Sequence, residues 1–361
     1  MNNDLPVNNS TINNYLQLVI DRQASDLHLI VGVPPMIRVD GELQPIPNER
    51  ILTPETVSGF MSQAMTKELM ERLTVNKEVD FSLSFSERAR FRVNAYTTKG
   101  AWAASFRAIP IEIPKIDELG LPPLMHTFTT LRQGFILVTG PTGHGKSTSL
   151  AAMLDEINAN RSVHIVTIED PVEFTFRPKM SIISQREMGN DTHSWSVALR
   201  SVLREDPDVV LVGEMRDYET VAAALTIAET GHLVFATLHT NSASQTIDRV
   251  VDVFPSEQQS QVRLQFSSVL QAVVSQRLIP ATAGGRVVAH EMMLGTAAIR
   301  TSIREGKTHQ IDSIIQTSSE AGMNTLEASL AGLVAEGKIT PEVAKTYSIR
   351  PEQLTRLLRQ A

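Results

Sequence analysis

Two kinds of apolar periodicity divide this chain, alternating over roughly the first hundred residues and running unbroken beyond residue 130. From Thr11, the residues Ile12, Leu16, Val19 and Ile20 share one stripe at helical spacing, which predicts a short amphipathic helix. Ser25-Asp26-Leu27-His28-Leu29-Ile30-Val31 then alternates, and Met36-Ile37-Arg38-Val39 leads into the turn Asp40-Gly41, so a hairpin is expected. Thr53-Pro54-Glu55 reads as a helix start with Thr as N-cap, and Val57, Phe60, Met61, Met65, Leu69 and Leu73 continue its apolar face. Phe81 to Phe85, Arg90 to Tyr96 and Ala101 to Ile109 alternate at period two, as antiparallel strands with one wet face do. A small α+β domain is expected over 1–109.

Pro110, Pro114, Gly120 and Pro122-Pro123 punctuate the next stretch, which predicts a linker at 110–123. Four runs without a polar phase follow: Phe135 to Val138, Val163 to Ile168, Val209 to Val212 and Leu233 to Leu238. Such runs are strands covered on both faces, so residues 124–361 are expected to form an α/β domain ending in helices.

The first run enters Thr139-Gly140-Pro141-Thr142-Gly143-His144-Gly145-Lys146-Ser147-Thr148, and Leu150 to Leu154 then favours a helix. Gly140 to Ser147 satisfies G-x-x-x-x-G-K-[ST], the P-loop. Gly140, Gly143 and Gly145 let the backbone around Thr142 approach a polyphosphate with its N–H groups inward, and the helix start favours an anion. Lys146 would neutralise β/γ-phosphate charge, while Ser147, followed by Thr148, would hold Mg²⁺ beside ATP. A chance lysine in a glycine-rich turn is the plainer alternative, and the flanking strand and helix argue against it.

The later runs end in polar groups where an open parallel sheet binds ligands. Glu169 follows the second and could orient or deprotonate a water. The third, Asp208 to Gly213, delivers Glu214 in the manner of a Walker B strand, although a glycine intervenes. His232 and His239 bracket the fourth; no further metal ligands stand nearby in sequence, so a γ-phosphate sensor is the better reading. Arg90, Arg92 and Arg107 lie at polar strand positions, and either face solvent or finish a nucleotide site from a neighbouring subunit. His28, alone on a polar strand phase, reads as structural.

With 361 residues, 42% of them hydrophobic, the chain can bury two cores. Its net charge of −7 gives no overall field for nucleic acid. The absence of cysteine excludes disulfides, thiolate chemistry and cysteine zinc sites. Met1-Asn2-Asn3-Asp4 lacks the layout of a secretion signal and no run of about 18 apolar residues occurs, so a cytoplasmic location without a membrane span is expected.

Together these motifs resemble the secretion-superfamily ATPases of type II secretion and type IV pilus systems, over about residues 12–350. Gly140 to Thr148 corresponds to Walker A, Ile168 to Phe174 to the Asp box, Asp208 to Asp217 to Walker B, and Ala228 to Thr240 to the His box. Ser25-Asp26-Leu27-His28-Leu29, Thr246 to Pro255 and Gly322-Met323-Asn324-Thr325-Leu326 resemble the pilus-retraction branch. Ala298-Ile299-Arg300-Thr301-Ser302-Ile303-Arg304-Glu305 is similar to its signature A-I-R-N-L-I-R-E, with Thr301 and Ser302 as departures.

The resemblance implies a homohexamer with a PAS-like N-terminal domain, a RecA-like core and ATP between subunits. It implies Glu169 on the water, Glu214 on Mg²⁺ and Arg92 and Arg107 reaching the nucleotide. It also implies an inner-membrane platform protein as partner and leaves room for a second retraction ATPase beside it. An accessory retraction ATPase, or an ATPase of pilus assembly or type II secretion, is the alternative within the family; a nucleotide-gated subunit or a nucleic-acid translocase is the alternative outside it.

Overall fold

The computed structural model describes residues 11–39, 41–86, 89–109 and 112–359. It divides between Glu112 and Ile113 into two compact units. In the first, six strands form one antiparallel sheet: β1 (Asp26–Leu29), β2 (Met36–Val39), β3 (Glu42–Pro45), β4 (Glu78–Ser86), β5 (Ala89–Thr98) and β6 (Ala101–Ile109). They lie in the order β3-β2-β1-β6-β5-β4. Period-two alternation puts Leu27, Leu29, Ile37, Phe91, Val93 and Phe106 on one face. There they pack with Ile12, Leu16 and Val19 of the helix Ile12–Asp21 and with Val57, Phe60 and Met61 of the helix Pro54–Ala64.

The long apolar face expected after Thr53 is broken in two. The Thr53 side chain caps Pro54–Ala64 as its sequence suggests, but Met65 is extended and Thr66 caps a second helix, Lys67–Asn76. A helical stripe can continue across such a break, because a fresh cap restores the phase; the second cap was the overlooked signal. Asp40 of the expected turn lies outside the described residues.

The stretch expected as a linker belongs mostly to the second unit, where Ile116 and Leu121 are buried in the core. Residues 110 and 111 lie outside the described residues. Seven strands follow: β7 (Gly134–Thr139), β8 (His164–Glu169), β9 (Ile182–Glu187), β10 (Val209–Val212), β11 (Leu233–Leu238), β12 (Leu270–Pro280) and β13 (Arg286–Leu294). Their order is β13-β12-β7-β11-β10-β8-β9, parallel throughout except for the β12–β13 hairpin.

Successive residues of one run go to opposite faces. Phe135 and Leu137 meet helices that include Tyr218–Glu229 and Ser256–Val269, whereas Ile136 and Val138 meet Lys146–Asn160 and Leu124–Thr130. Helices Leu326–Ala335, Pro341–Tyr347 and Pro351–Leu358 close a small separate core with Ile279 and Ala289.

In the helix Ala297–Arg304 the spacing of Ile299 with Ile303 and of Arg300 with Arg304 would give one apolar and one basic track. Ile299 and Ile303 are buried, but Arg300 is not a surface base. Its guanidinium donates to the carbonyl oxygens of Ser267, Ser268, Leu270 and Gly295, satisfying the end of the helix Ser256–Val269.

Candidate functional site

The strand order explains which groups can meet. The carboxyl ends of β7, β11, β10 and β8 are successive neighbours and carry, in turn, the glycine loop, His239, Glu214 and Glu169. Ligands of open α/β sheets bind at that edge.

Between β7 and the helix Lys146–Asn160, Gly140, Gly143 and Gly145 all have positive φ, at 137°, 78° and 81°. A Cβ on Gly140 would also stand 2.2 Å from the Gln276 carbonyl oxygen, so this corner admits only glycine. Lys146 begins the helix and is 8% exposed. Its ammonium donates to the carbonyls of Gly140 (2.8 Å) and Pro141 (3.0 Å), which holds it inside the loop. Burial pushes its pKa down, opposed by the charges of Glu214 and Glu173. Ser147 and Thr148 occupy the first helical turn.

His239, just beyond β11, joins the loop to the acid of the next strand. Its Nδ1 is 3.3 Å from Thr142 Oγ1 and 3.5 Å from Lys146 Nζ, and its Nε2 is 3.1 Å from Glu214 Oε1. The other Glu214 oxygen accepts from Arg216 at 2.7 Å, and this bond is the main cause that holds Glu214 below the ordinary carboxylate range. Gly213, the oddity in the apparent Walker B pattern, has a reason. A Cβ there would lie 3.0 Å from the Ile168 carbonyl oxygen and 3.2 Å from Glu169 Cα, so a larger residue would crowd β10 against β8.

Glu169 is 9% exposed, and burial raises its pKa to about 7 despite hydrogen bonds from Thr167 (2.6 Å) and Gln185 (3.3 Å). It shares a small pocket with Ser147, Gly213 and Thr237, walled by Phe174 and Phe176. A carboxylate near neutrality at the edge of a phosphate loop suits proton acceptance from water.

His232 does not join this cluster within the subunit. It precedes β11 while His239 follows it, so the six-residue strand separates them by about 20 Å. Its Nδ1 instead lies 2.9 Å from the Ile227 carbonyl oxygen, closing the helix Tyr218–Glu229.

Arg92 and Arg107 lie in the first unit and face each other directly across β5 and β6, both exposed on the polar face. Arg107 Nε donates to buried Asp26 at 2.9 Å, and His28 lies on that face of β1 too. Burial holds the His28 pKa below its ordinary value. Asp26 already offsets the charge of Arg107, which stands directly opposite the like charge of Arg92. Arg90 lies two register positions away, opposite Ile109.

Sequence reasoning missed Arg216, Thr167, Gln185, Phe174 and Phe176. Arg216 and Thr167 stand two residues from Glu214 and Glu169 and were within reach of a local reading, whereas Gln185 comes from the neighbouring strand β9 and Phe174 and Phe176 from the segment between β8 and β9. Among the described residues no helix is long and apolar enough to cross a membrane.

Comparison with known proteins agrees with this geometry. Residues 2–310 match the model of the type II/IV secretion system protein family. The chain is 51% identical to the type IV pilus retraction ATPase PilT of Pseudomonas aeruginosa over 91% of its own length and 95% of the relative. It is 37% identical to the type IV pilus ATPase PilU of the same organism, over 95% and 90%. It is also similar to the crystal structure of the pilus retraction motor PilT with bound ADP, at a TM-score of 0.91 and 46% identity over 96% of this chain and 99% of that one. A RecA-like core preceded by a smaller α+β domain, a nucleotide-binding loop and its acidic neighbours thus come together in one chain: it belongs to the type II/IV secretion system protein family, as an ATP-hydrolysing enzyme of the pilus-retraction branch.

Proposed function

We propose that this chain is the subunit of a homohexameric motor whose ATP hydrolysis powers type IV pilus retraction by removing pilin subunits from the filament base. The observation that carries this reading is the correspondence to a retraction ATPase through both units, over 95% of that relative. PilU similarity keeps an accessory retraction ATPase as the second reading, at lower identity.

In this proposal the loop N–H groups around Gly140, Thr142, Gly143 and Gly145 hold the phosphates, and Lys146 exchanges its carbonyl partners for phosphate oxygens. Ser147 and Glu214 supply hard oxygen donors at one sheet edge, which fits Mg²⁺, with Glu214 binding through water. The ion would neutralise phosphate charge. Glu169 takes the proton of the attacking water, while His239, touching Thr142, Lys146 and Glu214 at once, registers the γ-phosphate. Arg92 and Arg107 complete the site of the adjacent subunit, where their guanidinium groups would offset phosphate charge. His232, remote from its own loop and engaged with the Ile227 carbonyl, takes no part in this step.

Nucleotide bridging two subunits can bias a bistable interface, which here turns the N-terminal domain against the core. The motion passes to an inner-membrane platform protein, with a second retraction ATPase as co-partner, so the motor works at the cytoplasmic face of that membrane and on no nucleic acid. Deleting the gene should leave surface filaments in excess and abolish twitching. Normal retraction in the deletion strain refutes the assignment. A nucleotide-gated subunit that only docks on another motor would instead show as a purified chain with no steady-state hydrolysis.

A further inference from the structure

Behind the phosphate loop stands a residue that none of the motifs contains. Gln276 lies on β12, beside the loop strand β7, and is 1% exposed. Both ends of its amide are used on the loop region. Nε2 donates to the His144 carbonyl at 2.8 Å, and Oε1 accepts from the Ser149 hydroxyl at 2.8 Å. Its main-chain carbonyl fills the space beside Gly140, and a Cβ on Gly145 would fall 2.9 Å from its Nε2. The two glycines are thus required partly by Gln276 itself.

The hairpin extends the same grip. The Leu278 N–H donates to His144 Nδ1 at 3.0 Å, and Arg286 donates to the Gly143 carbonyl at 3.3 Å. A trans peptide points its N–H opposite to its C=O. Pulling the His144 carbonyl outward therefore aims the Gly145 N–H into the loop, and pulling the Gly143 carbonyl outward does the same for the His144 N–H.

We propose that Gln276 is a positioning residue for nucleotide binding, which fixes the Gly145 peptide so that its N–H meets the polyphosphate. This rests on the nucleotide reading above. Gln276 touches no phosphate; it acts by removing alternative orientations of the loop before nucleotide arrives. Losing the grip should weaken binding of any ligand carrying a β-phosphate and leave the chemistry of bound ATP largely intact, because Lys146, Glu169 and Glu214 are held by other contacts.

The test uses the full-length assembled protein with Gln276→Leu and Gln276→Asn. The asparagine variant keeps an amide but is one methylene too short to reach His144. KM for ATP and Kd for a fluorescent ADP should both rise about tenfold in either variant, the scale of one buried neutral hydrogen bond. kcat at saturating ATP should fall less than about threefold. A purely structural role would lower melting temperature and active fraction, hence kcat, with KM and Kd unchanged; that result overturns the proposal. Should the leucine variant not fold, unchanged KM and Kd in the asparagine variant overturn it equally. Lys146→Ala run in parallel separates the two claims. Wild-type turnover in that variant removes the nucleotide reading itself, whereas an inactive Lys146→Ala beside Gln276 variants of ordinary KM removes only the role of Gln276.

Discussion

The two sheets of this molecule place charge in opposite ways. In the antiparallel sheet the buried Phe91 and Val93 alternate with Arg92 and Asn94, so polar groups can stand anywhere along a strand on its open face. In the parallel sheet both faces are covered: Phe135 to Val138 and Val209 to Val212 have no position facing water. Chemistry there is confined to strand ends, and Lys146, His239, Glu214 and Glu169 all sit at the same edge. The first sheet can present a cationic surface; the second can build a partly desolvated pocket.

The largest effect should come from the pocket. Lys146→Ala should bring ATP turnover to background with the circular-dichroism melt retained, and appreciable phosphate release from that variant would break the assignment. On the open sheet, Arg92→Ala should lower hydrolysis by the assembled ring about a thousandfold, the scale of a charge supplied from a neighbour. Nucleotide binding by isolated subunits should be unchanged, and a ring of ordinary rate would show that this face serves only as a solvated surface.

The burial contrast itself is checked by paired truncations. Ile136→Ala and Leu137→Ala, on adjacent residues, should each cost about 3 kcal/mol in denaturant unfolding. Phe91→Ala should cost about as much, while its neighbour-but-two Asn94, replaced by Ala, should change stability by less than about 0.5 kcal/mol. Equal losses at Phe91 and Asn94 would contradict a one-sided sheet.

Glu169→Gln should lower kcat about a hundredfold. In the wild type, the base form of Glu169 is lost as pH falls through about 7, so kcat should rise between pH 6 and 8 and then level. A profile flat across that range argues against Glu169 as the base. Its stability effect runs the other way. The folded pKa lies above the ordinary 4.5, so the unfolded chain releases its proton first and stability declines as pH rises from about 4.5 through 7.

The smallest effect separates the two arginines. Arg107→Ala removes the close partner of buried Asp26, whereas Arg92 stands opposite a like charge. Because Arg107 is largely exposed, the loss should be about 1 kcal/mol, and Arg92→Ala should lose nothing. Identical melting curves for the two variants would remove Asp26 from the account.

How much could be read beforehand follows the range of the interactions. The glycine loop, the covered strands and the Thr53 cap depend on residues within about ten positions, and each was legible. The Met65–Thr66 break was readable but masked by a stripe that resumes in phase. The β12–β13 hairpin was overlooked despite Gly284-Gly285 at its turn, and with it the support behind the loop. Arg300 shows the limit of pattern: four carbonyl partners belong to segments about 5 to 33 residues away, and no periodicity records them.

By itself the sequence determined that this chain builds a glycine-lined cradle for phosphate, that its larger C-terminal part carries strands covered on both faces, and that its smaller N-terminal part has a wet face bearing arginines. These follow from local backbone freedom and from the alternation that solvent imposes on strands. Only the tertiary structure decided that His239 meets the loop while His232 is carried to the far end of the same strand, and that Arg92 lies opposite Arg107. It alone placed Gln276 behind Gly145. Strand order and register set these distances, and both arise from the packing of segments far apart in the chain.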